Sequence, residues 1–208
     1  MQKYSYIGVA FIILIFGVYA IPKIVNRFKT PKFVTIGQVP EFEFTNQRGT
    51  LISNSFYENK VYVVEFFFTT CPTICPKMNE NMVKIQNKYF GNKDFGIVSF
   101  SINPKHDTPQ VLSDYAKSYG VTSKTWNFLT GDQDKIYKLA NTGFTLFAGE
   151  NSNAEGGFEH SGMFALVDKQ GMIRSRLDEF GNPIAFYDGL DPKGVQMIIE
   201  DIAILLKE

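Results

Sequence analysis

Residues 61–78 read Val61-Tyr-Val-Val-Glu-Phe-Phe-Phe68-Thr-Thr-Cys71-Pro-Thr-Ile-Cys75-Pro76-Lys-Met78. The opening run, 61–68, is almost continuously apolar and rich in β-branched and aromatic residues, the pattern of a strand covered on both faces. Residues 76–89 then have helical character and stop before Gly91. Such a strand-to-helix junction is where α/β folds gather their ligands. Pro76 disfavours helical dihedrals at Cys75 and suits the first helical position, so the helix is expected to begin at Pro76, with 71–75 as a loop. Thiols placed there feel the positive end of the helix dipole, which favours thiolate. The spacing is one residue wider than C-x-x-C. It leaves room for a metal ion between the sulfurs without forbidding a disulfide.

Outward from this junction the same alternation recurs. Residues 95–102 give a second buried strand. Asp107-Thr108-Pro109 then starts a helix with a capping side chain and an early proline. Residues 126–129 form a third strand and 132–140 a third helix. A polar, glycine-containing loop is expected at 149–157. Residues 162–167 and 172–177 flank Asp168-Lys-Gln-Gly171 as a hairpin, and Asp191-Pro192 opens a last helix ending near Leu206. Before the first long strand, Glu41-Phe-Glu-Phe44, a turn at 46–49 and Thr50-Leu-Ile52 read as a short β-hairpin. Alternating strand and helix units followed by an antiparallel hairpin predict an α/β, thioredoxin-like fold: a central mixed sheet flanked by helices, preceded by the N-terminal β-hairpin.

Residues 4–21 carry no charge and would span ~27 Å as a helix, close to the ~30 Å hydrocarbon core. A single transmembrane helix is expected there, or a signal peptide cut after Ala20, with Tyr4, Tyr6 and Tyr19 near its ends. The lead of Met1-Gln2-Lys3 leaves no room for an organelle-targeting sequence and favours a bacterial protein. The organisation is thus 1–22 membrane anchor or signal peptide, 23–36 tether and 37–208 globular domain. Lys23, Arg27, Lys29 and Lys32 outnumber Lys3, a distribution that by charge alone places the domain on the cytoplasmic side.

The 208 residues suffice for one well-buried domain plus an appendage, and a 44% apolar composition with 20 phenylalanines is globular. Lysine plus arginine and aspartate plus glutamate both number 21. No basic stripe points to a nucleic-acid partner. Only two cysteines occur, too few for a disulfide framework. As a soft metal pair they lack a third donor, and imidazole is the usual complement for copper. Two histidines are available: His106, in a turn leading into a helix, and His160, directly before a core strand. His160 is favoured over His106, with Glu159 beside it as an acceptor for the ring or merely solvated. Zinc fits less well, since Cys2His lacks the fourth protein ligand of a structural site.

At these residues the chain resembles the Sco (SenC) family. Phe66-Phe-Phe-Thr-Thr-Cys71-Pro-Thr-Ile-Cys75-Pro76 matches its CPxxCP signature. Ser99-Phe-Ser-Ile-Asn103-Pro-Lys-His106-Asp-Thr-Pro109 resembles its D-P-x-x-D-T-P turn, with Asn103 in place of Asp. Glu159-His160-Ser161, followed by 164–168 and Gly171, resembles its D-H-[ST] segment, with Glu159 in place of Asp. The likeness runs from about 37 to 207. It implies a thioredoxin-like domain holding a copper ion, Cu(I) or Cu(II), through Cys71, Cys75 and His160. It also implies a metallochaperone role in building the binuclear copper site of cytochrome c oxidase. The partners implied are the copper-bearing oxidase subunit and other copper carriers. The site would lie on the periplasmic or extracytoplasmic side of the bacterial cytoplasmic membrane, against the simple charge count. The alternative is a thiol–disulfide oxidoreductase in which Cys71 and Cys75 cycle and His160 is dispensable. A peroxide-reducing enzyme is a weaker third reading, since no separate resolving cysteine or flanking arginine accompanies Cys71.

Overall fold

The computed structural model describes residues 5–28 and 31–208, with side chains for 7–21, 31–154 and 156–208. It divides into two compact units, residues 1–32 and 33–208. The first contains α1 (Ser5–Phe28), an uninterrupted helix whose large apolar side chains between Ile7 and Ile21 are all half or more exposed. Among the described residues, no helix is long and apolar enough to cross a membrane. The expected transmembrane span over 1–22 is corrected accordingly: the helix is present, a described span is not. Tyr4 and Lys29, with the side chains of Tyr6, Lys23 and Arg27, lie outside the described residues.

The second unit is built on β4 (Val61–Phe67) and β5 (Phe95–Ser101), both wholly buried and paired in parallel from Val61↔Phe95 to Phe67↔Ser101. Burial on both faces explains why neither strand alternates in polarity. β6 (Trp126–Thr130) extends this parallel core. β2 (Glu43–Asn46) and β3 (Leu51–Ser53) form the expected hairpin and close one side through β2. On the other side β9 (Met163–Val167) runs antiparallel to β4, followed by β10 (Met172–Arg176) and β1 (Phe33–Gln38). Two-residue β11 (Tyr187–Asp188) also pairs with β9, completing a nine-stranded mixed sheet. β1 begins at Phe33, inside the stretch assigned from sequence to the tether, where Phe33-Val-Thr-Ile supplies four strand-favouring residues.

Four helices flank the sheet: α2 (Ile74–Lys88), α3 (Pro109–Ser118), α4 (Gln133–Lys138) and α5 (Pro192–Leu205). Thr108 caps α3 by accepting from Val111 N, and Asp191 caps α5 by accepting from Lys193 N, each followed directly by proline. α2 starts two residues earlier than expected. A proline in the first helical turn removes only an N–H that has no intrahelical acceptor, so Pro76 does not set the boundary. After α4 the chain widens into a π turn, Leu139–Gly143. α5 is locked to the sheet by the buried Asp201 carboxylate, which accepts from Arg176 on β10 and from the Tyr187 hydroxyl on β11. The core is aromatic: Trp126 stacks on Phe128 at 5.1 Å, and Phe67 meets Phe128 edge-on at 5.4 Å. Truncating either phenylalanine to alanine would cost about 3–5 kcal/mol.

The strand directions fix where chemistry gathers. β4, β5 and β6 all run out at one end of the sheet, and β9 begins there. The segments following Phe67 and Ser101, and the one leading into Met163, therefore meet at that end.

Candidate metal centre

Three side chains converge at this end. The thiols of Cys71 and Cys75 and a ring nitrogen of His160 all lie within 4.8 Å of one another. Cys71 sits in the turn after β4, where its N–H donates to the Phe68 carbonyl (3.3 Å). The turn is tethered from behind by Asp107, whose fully buried carboxylate accepts from Thr69 N (3.0 Å), the Thr69 hydroxyl and the Ser101 hydroxyl (2.5 Å). Cys75 lies in the first turn of α2 with no solvent exposure, whereas Cys71 is 7% exposed. Cys71 opens onto a cleft of about 300 Å³ lined by Phe68, Cys71, Ile74, Phe158 and His160, among others.

His160 reaches the thiols from a separate piece of structure. The loop expected at 149–157 is mostly the connection of a small hairpin, β7 (Ala148–Glu150) with β8 (Phe158–His160), which forms a two-stranded sheet of its own. The π turn holds it in place: Asn141 both donates to Ala148 O (2.8 Å) and accepts from Ala148 N (3.0 Å), and Ala148 is the partner of His160. Gly156 in the turn has φ +84, and a Cβ there would come within 2.8 Å of the Phe68 ring. That ring in turn stands edge-on to His160 at 5.8 Å. The position requires glycine for both reasons.

The His160 tautomer follows from its neighbours. Nδ1 lies 3.0 Å from the Ser161 carbonyl, which can only accept, so Nδ1 carries the hydrogen. Nε2 faces Cys75 Sγ at 2.9 Å. Glu159, read from sequence as an acceptor for the ring or merely solvated, accepts from Asn151 instead. His106 is not part of the cluster; it hydrogen-bonds to Asp107 (2.8 Å). Sequence reasoning missed Asp107, Thr69, Asn141 and Ser161. The pairing of Asp107 with Thr69 spans 38 residues, which no local pattern reveals.

Both thiols were expected to be shifted toward thiolate, and the site separates them. A hydrogen bond from the Cys75 thiol pulls the Cys71 thiol far below its ordinary range. Burial pushes the Cys75 thiol well above its own, and the neighbouring sulfur adds to this. For Cys75 desolvation outweighs the helix dipole. The resting arrangement is a Cys71 thiolate accepting from a Cys75 thiol, with the His160 ring beside them.

The profile of the SCO1/SenC family matches residues 35–191. A SCO1 protein homolog of Bacillus subtilis is 31% identical over 167 residues, covering 79% of this chain and 81% of the relative. Among solved structures, a SCO1/SenC family lipoprotein from Bacillus anthracis superposes with a TM-score of 0.71 at 30% identity, covering 82% of this chain and 96% of that one. BsSco, described as having a disulfide switch and as belonging to the Sco family of cytochrome c oxidase assembly proteins, gives 0.69 at 29% identity, with coverages of 87% and 98%.

Proposed function

The chain belongs to the SCO1/SenC family, and on that footing we propose that it carries one copper ion between Cys71 Sγ, Cys75 Sγ and His160 Nε2 for assembly of the cytochrome c oxidase copper site. The observation that carries the reading is the convergence of two sulfurs and one imidazole nitrogen within 4.8 Å. Two thiolates and one imidazole suit copper(I). A structural zinc site would need a fourth protein donor, and the cluster found among the described residues has three.

Each residue then has a task. The Cys71 thiolate at the cleft makes the first sulfur contact. Cys75 loses its proton and supplies the second sulfur from the protein interior. His160, held by the Ser161 carbonyl and the Asn141 clamp, completes the set. The recipient is the copper-bearing oxidase subunit, and other copper carriers act as donors. The N-terminal apolar helix tethers the domain to the outer face of the cytoplasmic membrane. Resistance of the full chain to alkaline extraction from membranes, with the domain open to protease added outside spheroplasts, tests that placement.

The test of the metal site is copper stoichiometry in the full chain. One tightly held ion per wild-type chain is expected. His160→Ala should weaken binding by more than the roughly 10–100-fold seen when residues supporting a ligand are lost, and Cys71→Ser should also weaken it. Unchanged affinity in His160→Ala would defeat the three-ligand assignment.

A second reading is favoured by the unequal acidity of the two thiols. The Cys71 thiolate attacks a partner disulfide, forming a mixed disulfide and releasing one partner thiolate. Cys75, deprotonated, then attacks Cys71 Sγ, closing the Cys71–Cys75 disulfide and releasing the second partner thiolate. This route does not use His160, so thiol exchange that persists at full rate in His160→Ala, in a chain binding no copper, would select it.

A further inference from the structure

His106 is the one histidine left outside the three-ligand cluster. It lies in the loop between β5 and α3, with its side chain 50% exposed. Its Nδ1 sits 2.8 Å from Asp107 Oδ1 and 3.3 Å from the Thr69 hydroxyl. Asp107 accepts at both oxygens, from Thr69 N, the Thr69 hydroxyl and the Ser101 hydroxyl as well as from this ring. Facing a carboxylate, Nδ1 is the nitrogen that carries hydrogen, which leaves the Nε2 lone pair unused; no partner for Nε2 is found among the described residues. A buried carboxylate behind one ring nitrogen, with the other presented outward, is how metal-ligating imidazoles are oriented and made basic.

The location matters equally. Thr69, which His106 touches, precedes Cys71 by two residues. Neighbouring Lys105 reaches Glu150 on β7 at 3.8 Å, so the loop also borders the hairpin that carries His160. His106 thus stands against the turn that carries Cys71, the more exposed thiol.

We propose that His106 Nε2 is a landing ligand for copper: it takes the ion in either oxidation state from a carrier and passes it by ligand exchange to Cys71. The inference rests on the three-ligand reading of the centre and adds a kinetic site outside it. A ligand used only in transit lowers the barrier in both directions. Its removal slows loading and unloading by the same factor and leaves the equilibrium constant alone.

The experiment is stopped-flow transfer of copper(I) from a bicinchoninate chelate to the reduced full chain, and back to excess chelator, for wild type and His106→Gln. Glutamine keeps a donor for Asp107 and removes the imidazole. Both rates are expected to fall about tenfold or more with the affinity unchanged. Equal rates in the two proteins overturn the role of His106 alone. A change in affinity overturns it too, since His106 would then act on the final site. A wild-type chain that takes up no copper overturns the three-ligand reading and this inference together. As a second readout, with both cysteines alkylated, substoichiometric copper(II) chloride should broaden the His106 ring proton signals before those of His160. The reverse order also counts against the landing role.

Discussion

The unequal thiols make a quantitative prediction about metal binding. The resting centre holds one thiolate, Cys71, and one thiol, Cys75, which donates to it. Binding copper(I) to both sulfurs and the imidazole therefore expels one proton, not two, and the charge of the centre does not change. Linkage then requires the apparent affinity to tighten about tenfold per pH unit, about 1.4 kcal/mol. Between pH 6 and 8 that amounts to about a hundredfold. The window is set by the two shifts: it opens above the lowered value of Cys71 and closes only at the raised value of Cys75, so neutral pH lies inside it. Competition against a chelator at pH 6, 7 and 8, corrected for the chelator's own protonation, gives the slope. Proton release into weakly buffered solution gives the stoichiometry directly. Two protons released, with a hundredfold change per pH unit, would mean that Cys71 is also a thiol at rest. No release would mean that both sulfurs are already ionised. Either result refutes the division of labour between the thiols.

Three further outcomes follow from buried groups. Glu65 on β4 is fully buried, its Oε1 accepting from Ser99 at 2.6 Å, and burial lifts its carboxyl to about 7. A folded value raised above the unfolded one means that stability is greatest below about pH 4.5 and is lost as pH rises through 7. The loss is about 3 kcal/mol from this group, and urea unfolding of Glu65→Gln should show that slope removed. Asp201→Ala strands the Tyr187 hydroxyl and leaves the Arg176 guanidinium, only 17% exposed, with Glu200 as its acidic partner; denaturant titration should show a loss of about 1–3 kcal/mol. Iodoacetamide under native conditions should label Cys71 well before Cys75, because Cys71 is both the thiolate and the thiol bordering the cleft. Peptide mapping reads the order, and equal labelling would contradict it.

The sequence pattern exposes the elements that depend on period and punctuation. The all-buried run of β4, the capped starts at Thr108 and Asp191, and the hairpin around 168–171 all appear where their residues place them. The start of α2 is misplaced because proline marks a whole first turn, not one position. β7 and β8 are hidden for a different reason. Ala148-Gly-Glu150 and Phe158-Glu-His160 lack alternation and β-branched residues, and the pairing is supported from outside, by Asn141 in a π turn. His160 can therefore be selected from sequence as a ligand, while the scaffold that delivers it cannot. The split in thiol acidity is likewise absent from the motif, because it arises from the depth of Cys75, a tertiary property.

The small hairpin has a consequence for how the domain opens. The cysteines belong to the large cooperative sheet and its first helix, while His160 belongs to a ladder of three residue pairs that stands apart from it. A bound ion would act as a cross-link between the two. Without it, the hairpin is the part with least to lose by fraying, and its amides should exchange with solvent far faster than those of β4 or β5. With it, fraying must first break a metal–nitrogen bond, so protection at 148–150 and 158–160 becomes a gauge of occupancy. The same local unfolding sets a clock for release: each opening strips the imidazole away and leaves the ion on two sulfurs, open to capture by a competing ligand.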